Sequence, residues 1–525
     1  MAAEAGLDRV ILAGRPGKDH LLDSAGNGVA WLDYDGDGQL DAYLVNGWRL
    51  AGQQVVERGK NALYRNRGDG TFVDVTDATG TGGNGQWGCG VAVADYDDDG
   101  RPDLLVTQFG ANLLLHNQGN GTFADVTESA GVQVPTWNTG AAFFDADGDR
   151  HLDLYVAGYV QATMDEVLAT RPTLPWKGVA MVAVGPFGLT GAVDRFFLGD
   201  GAGHFRDATE AAGLTDRARA FGFAVLATDV DVDGDPDLYV ANDSDPNYLY
   251  RNDGTGRFEE VGLWTGVALD GGGRAQAGMG AAVGDVNGDL LPDLVVTNFA
   301  EDATTLYRGL GGGLFEDASA ECGIAAPTYM SLSWGTVLVD LDRDGDQDLV
   351  IANGHIYPQV DQHLEADHAY RQRNQLLAND GTGHFADVTG SAGPGFATAH
   401  SSRGLAAGDY DNDGDLDLLI SHLDEAPSLL RNDSQGGNWL TVVLPPRPGD
   451  GPEIGARVTV SAGGRRQVAE SASSGSYLSV NDPRLHFGLG AAATVDSVEV
   501  RWPDGSRTVR RALEPGHFLD IERRP

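Results

Sequence analysis

Cysteine is nearly absent. Cys89 and Cys322 are the only two in 525 residues and fall in different repeats, which excludes a disulfide framework. No apolar run approaches the length of a membrane-crossing helix. Positive charge is scarce: 36 Lys and Arg stand against 77 Asp and Glu, a net charge of -41. A nucleic-acid partner and an anionic membrane are excluded on electrostatic grounds, even if seven divalent ions were added. The first residues, MAAEAGLDRVILAGRPGKDH, hold only a short apolar stretch and no secretory core, so the expected compartment is the cytoplasm. Cofactor signatures are missing too: there is no G-x-S-x-G, no H-E-x-x-H and no Walker loop. Gly80, Gly82 and Gly85 match G-x-G-x-x-G, but 75 glycines make a chance match expected and no helix follows. No organic cofactor is expected.

What the chain does have is D-x-[DN]-x-D-x-x-x-D, seven times, each copy between two short apolar runs. The copies are Asp33, Asp35, Asp37 and Asp41; Asp95, Asp97, Asp99 and Asp103; Asp145, Asp147, Asp149 and Asp153; Asp229, Asp231, Asp233 and Asp237; Asp285, Asn287, Asp289 and Asp293; Asp340, Asp342, Asp344 and Asp348; and Asp409, Asp411, Asp413 and Asp417. Carboxylates on alternate residues of a tight turn converge, and the last Asp closes the cage. Hard oxygen donors in that number suit Ca²⁺, up to seven ions in a structural role. An EF-hand is excluded because its Glu at position twelve and its helical flanks are missing. A solvated acidic turn explains one copy but not seven. Asn287 and Arg150, which replaces a glycine after Asp149, mark two turns expected to bind more weakly.

Each unit reads as four strands, A to D, with the acidic turn between A and B, an L-[YL]-x-[NG] strand C and a G-x-F-x-D-x-[TS] strand D. The units recur about every 63 residues, longer than the ~40 to 50 of simpler propeller repeats. The predicted fold is all-β: a seven-bladed β-propeller over 1–436, then a small β-sandwich-like domain over 437–525 without an acidic turn. The seventh unit lacks strand D. The segment HLLDSA, His20 to Ala25, is predicted to supply it and close the ring, since an open sheet edge is a liability.

All seven turns then lie on one face. The long B–C loops 46–61, 158–194 and 354–374 lie on the other, with Trp48, Tyr159, Trp176, Phe187, His355 and Tyr357. The loop NGHIYPQVDQHLEADHAYRQRNQ gathers His355, Tyr357, Asp361, His363, Glu365, Asp367 and His368. It could supply a proton-transferring imidazole oriented by a carboxylate, or simply bond its own backbone. Asn242, Asp243, Asp245 and Asn247 form a second group, with turn formation as the plainer role. Trp87, Trp137, Arg219, Phe221, Arg274, Gln276, Trp334, His400 and Arg403 enter the inner strands. Arginines there could hold an acidic oxygen and tryptophans could stack on a flat ligand; packing between blades is the alternative. His355, Asp361, Arg403, Tyr357 and Asp245 are the expected catalytic set. Trp87, Trp137, Arg274, Trp334, His400 and Asn242 are the expected substrate contacts.

The acidic turns resemble the FG-GAP/VCBS repeats of integrin-like propellers. GMGAAVGDVNGD, VANDSDPNYLYRN, ANGHIYPQVD and SSRGLAAGDYDNDGD together resemble the cartilage acidic protein family. IGARVTVSAGG, SGSYLSV, HFGLG and VDSVEVRWPDG resemble the ASPIC/UnbV domain. The resemblance implies either a ligand-binding or adhesion propeller or, for UnbV-type bacterial members, a role in enediyne antibiotic biosynthesis. The latter implies cofactor-independent, acid/base-assisted cyclisation or carbon–carbon bond formation on a bulky aromatic natural product. Sequestration of a reactive metabolite would use the same bowl, and a protein partner is compatible with the same face.

Overall fold

A computed structural model describes residues 2–169, 173–178, 180–215, 218–363, 368–446, 448–449 and 453–523. The seven units are consecutive antiparallel meanders. The first runs Val29–Leu32, Asp41–Leu44, Ala62–Asn66 and Phe72–Asp74. Units two and three share one sheet through the pairing of Trp137 with Phe109. The innermost strands touch their neighbours right round the circle, and Ser402–Gly408 of unit seven returns to Val29–Leu32 of unit one. These inner strands are apolar almost throughout because neighbouring units cover both their faces.

Close approach between units needs small residues. A Cβ at Gly140 would stand 2.3 Å from the carbonyl oxygen of Phe223 in the next unit. At the seam, a Cβ on Gly404 would stand 2.9 Å from the carbonyl oxygen of Asn27. Ser421 Oγ donates to that same Asn27 carbonyl at 2.7 Å. Trp31 stacks on Tyr410 with ring centroids 6.1 Å apart.

The expected closing strand is not there. Residues Leu22–Ala25 form a single helical turn with Leu22 and Ala25 buried at the centre of the ring, and unit seven keeps three strands. The seam is held instead by the glycine contact, the ring stack and Asn66. Asn66 Nδ2 donates to the carbonyls of Leu40 and of Tyr410, the latter at 2.7 Å. Asn117, Asn252, Asn379 and Asn432 repeat this clamp onto the acidic turn of the preceding unit. Asn66→Ala strands two buried carbonyls at the seam and is expected to lower stability by about 2 kcal/mol, read as a lower urea midpoint.

The C-terminal module has two packed sheets. One joins Asn438–Val443 to Leu485–Gly490 and, in parallel, to Phe518–Asp520; the other holds Arg465–Glu470, Arg457–Ala462, Val495–Arg501 and Arg507–Leu513. Leu440, Val458, Phe487, Val498 and Trp502 lie in the core between them. The module caps the acidic-turn face. Arg484 donates to the Asp409 carbonyl at 2.5 Å and Arg457 to the Leu290 carbonyl at 2.7 Å. Arg501 lies 3.5 Å from Asp229, and Arg465 pairs with Asp346. A cavity of about 240 Å³ remains beneath it, bounded in part by Asp285, Asp340, Arg457, Glu470 and His486.

Candidate functional site: the acidic turns and the opposite face

The local sequence pre-bends each turn. The first Asp accepts backbone N–H bonds from later residues of its own turn: Asp33 from Gly36, Asp37 and Gly38, and Asp285 from Gly288, Asp289 and Leu290. The last Asp stitches the turn to strand C. One oxygen of Asp41 accepts from Tyr34 N–H at 3.2 Å and the other from Asn66 N–H at 2.8 Å. The same double bond recurs at Asp103, Asp153, Asp237, Asp293, Asp348 and Asp417.

Carboxylates this enclosed call for a counter-charge. Burial pushes Asp41, Asp153 and Asp237 up to about 8 and Asp417 up to about 9, with neighbouring aspartates adding to the shift. Asp97, Asp229 and Asp411 each keep a buried carboxylate oxygen without a hydrogen bond. Candidate ligand atoms of Asp33, Asp35 and Asp37, of Asp145, Asp147 and Asp153, and of Asp229, Asp231 and Asp237 lie within 4.8 Å of one another in each group. Orphaned, converging, acceptor-only oxygens fit a hard divalent cation.

On the opposite face the residues expected to line an open bowl are packed instead. Trp87, Trp137 and Arg403 are 0 % exposed and Trp334 is 4 %. The cause is a segment of the C-terminal module, residues 471–482, that enters the ring. Ser473 Oγ donates to Phe143 O and accepts from its N–H, both at 2.8 Å; Ser474 Oγ reaches Val225 O, and Ser476 Oγ accepts from Thr336 N–H. Val480 pairs with Val29 and Trp31. Tyr477 fills the middle, 4.9 Å from the Trp334 ring and 5.5 Å from Phe223, with its hydroxyl on Ala25 O at 2.8 Å. The serines complete strands that would otherwise face a hole.

The expected catalytic set is not brought together around an opening. Arg403 is held by the carbonyls of Ser24, Gly354 and Ser402 and lies 3.9 Å from the Trp334 ring centre; burial without a carboxylate pushes its guanidinium down to about 10. His355 is buried among Trp176, Phe299, Tyr357 and His368. Its Nδ1 accepts from Tyr357 N–H at 3.1 Å, and burial pushes the imidazole down to about 3, too weak a base for the role expected of it. Asp361 accepts from Tyr370 N–H, and the Tyr357 hydroxyl donates to Ala183 O. Arg274 points outward, 68 % exposed, and forks onto Asp270. His400 bonds Glu425 at 2.7 Å and stacks on His422 at 4.1 Å. Asn242 is buried and donates to Pro246 O. Arg219 bonds Gln161, and Gln276 accepts from Thr305. Glu365 and Asp367 lie outside the described residues.

One acid/base group does form on this face. Tyr159 Oη donates to Asp243 Oδ2 at 2.9 Å, and Ser244 Oγ donates to Asp243 Oδ1 at 2.9 Å. Burial pushes the Asp243 carboxyl up to about 6 although two hydroxyls pull it down. Half-buried Asp245 stands two residues on, its own carboxyl raised by burial, and Tyr357 feels the Asp243 charge. Tyr159 stacks on Phe223 at 4.4 Å and meets Trp137 at 5.0 Å, which fixes its ring. The sequence places Tyr159 in the long loop 158–194 and Asp243 in a turn on the same face but gives no signal that they touch.

Comparison with known proteins agrees with this architecture. The FG-GAP-like repeat model matches residues 33–106, 95–156, 229–296, 285–351 and 366–420, more than half the chain, and the ASPIC and UnbV model matches 448–524. Cartilage acidic protein 1 of Mus musculus is 27 % identical over 507 residues, covering 92 % of this chain and 71 % of its own length. That of Xenopus tropicalis is 26 % identical over 518 residues, covering 93 % and 72 %. Among solved structures, the BP39L lectin of Burkholderia pseudomallei aligns at 11 % identity and a TM-score of 0.42, covering 77 % of this chain and 95 % of the lectin.

Proposed function

The chain belongs to the FG-GAP-like repeat family and carries an ASPIC and UnbV module behind its repeats, and from that premise we propose that it is a calcium-stabilised propeller that binds a bulky aromatic small molecule on the face opposite the acidic turns and transforms it by acid/base chemistry. Calcium is structural in this reading. Its candidate ligands lie on the face that the C-terminal module partly covers, away from the reacting face. The reading places the protein in the cytoplasm, in natural-product biosynthesis of the enediyne or polyketide kind, with cyclisation or carbon–carbon bond formation as the step.

The observation that carries the proposal is the Tyr159–Asp243 pair. A carboxyl near 6 is matched to taking a proton at neutral pH, and the phenol it holds can return one. Exposed or half-buried apolar groups of the 173–187 segment, among them Leu174, Met181 and Phe187, offer nearby surface to an aromatic ligand.

The test uses extracts of a strain lacking the gene. Purified protein should convert a compound that accumulates there, with a rate that falls below about pH 6 as Asp243 takes up its proton. Asp243→Asn should slow conversion by ~10²–10⁴-fold with the melting temperature little changed. No accumulating compound and no conversion would leave the second reading, a non-catalytic partner-binding propeller. The filled centre of the ring favours that reading, because it leaves a surface rather than a chamber.

A further inference from the structure

The second acidic turn differs from the other six in what strand C sets beside it. The residue before the clamping Asn or Gly is Arg65, Leu198, Arg251, Arg308, Ala378 or Arg431 in the others. None of these ligates a metal. In unit two it is His116. His116 Nδ1 lies 3.3 Å from Asp97 Oδ2 and 3.3 Å from Asp103 Oδ1, and its Nε2 lies 3.9 Å from Asp99 Oδ2. Candidate ligand atoms of Asp97, Asp103 and His116 fall within 4.8 Å of one another.

Two observations separate this group from a mere acidic cluster. The Nδ1 atom is enclosed 3.3 Å from both an Asp97 and an Asp103 oxygen, and Asp97 Oδ1 is buried without a hydrogen bond. Ligand atoms ~2.0 Å from a tetrahedral ion stand ~3.3 Å apart, and His116 Nδ1 stands 3.3 Å from an oxygen of each aspartate. Arg101, meanwhile, pairs with Asp99 and donates through Nε to Asn117 O at 2.9 Å, which draws Asp99 away from the imidazole side. Asp103 Oδ1 also accepts from Asn117 N–H at 2.7 Å, so its carboxylate is fixed in place.

We propose that the Asp97–Asp103–His116 group is a mixed nitrogen–oxygen site that selects a transition metal, Zn²⁺ or Mn²⁺, over Ca²⁺. Calcium takes oxygen ligands, whereas imidazole suits borderline first-row ions. The inference does not depend on catalysis on the opposite face, nor on what the oxygen-only turns hold.

The experiment uses the full-length protein, stripped of metal, saturated with Ca²⁺ and then given less than one equivalent of Mn²⁺. Pulsed electron paramagnetic resonance should show one directly bound ¹⁴N. His116→Arg, which installs the residue found in units one, four, five and seven, should abolish that coupling. It should also weaken Zn²⁺ binding at one site by more than the ~10–100-fold that loss of an outer-shell partner costs. His116→Gln guards against a folding defect and should behave alike. A ¹⁴N coupling that survives in both variants, or none in the wild type, would overturn the proposal. The latter outcome would make His116 a protonated counter-ion, the role Arg251 plays beside Asp231 at 3.3 Å.

Discussion

Removing divalent metal with a chelator is expected to lower the melting temperature by on the order of 15 °C. The acidic turns concentrate four carboxylates or carboxamides each. Their last aspartates are buried in all seven units, from 0 % exposed at Asp41 to 6 % at Asp348. Without a cation these groups repel one another, and burial drives them toward the protonated form. An ion bound only by the folded chain adds about 2.7 kcal/mol when its concentration is a hundred times the dissociation constant. Several such sites in a chain of this size give a shift of that order. The check is differential scanning calorimetry of chelated and calcium-loaded protein at one pH. Arginines of the C-terminal module offset part of the loss at Asp229, Asp346 and Asp409, so the chelated protein should keep its β-sheet spectrum below the lowered transition.

The second large effect is at Tyr477. Tyr477→Ala should cost about 3–5 kcal/mol, the range for emptying a buried aromatic site. The ring is 0 % exposed and touches Trp334 and Phe223, so nothing nearby can collapse into the gap without leaving a rotamer. The lost hydroxyl also frees Ala25 O. Tyr477→Phe keeps the packing and should cost about 1 kcal/mol. Urea unfolding followed by tryptophan fluorescence reads both, since Trp334 reports directly on the site. Equal effects of the two substitutions would mean that the hydroxyl rather than the ring secures the segment.

The features legible in the sequence are those written in local periodicity. The acidic turns were legible because alternate aspartates between apolar runs can do little else seven times over. The strand meanders of the units followed from the same spacing. The ring seam was not legible. Gly404 and Asn27, or Asn66 and Tyr410, are hundreds of residues apart, and a missing strand D invited the guess that HLLDSA replaces it. The filled centre was hidden for a different reason. Nothing local in SASSGSYLS says that its serines partner carbonyls and N–H groups of the inner strands. Without that contact Trp87, Trp137, Trp334 and Arg403 could be read as lining a bowl, and the structure bears out the alternative of packing between blades. Tyr159 and Asp243 were each visible as loop residues, but their contact depends on how the end of strand Asp153–Val160 meets the short turn after Asn242 in the next unit.

Anomalous diffraction from crystals of the full-length protein soaked in a lanthanide addresses the central claim most directly. The expected result is a closed ring with a peak inside each acidic turn, ~2.5 Å from its carboxylate oxygens. Ordered turns without peaks, or a ring that stands open at the seam between Trp31 and Tyr410, would contradict it.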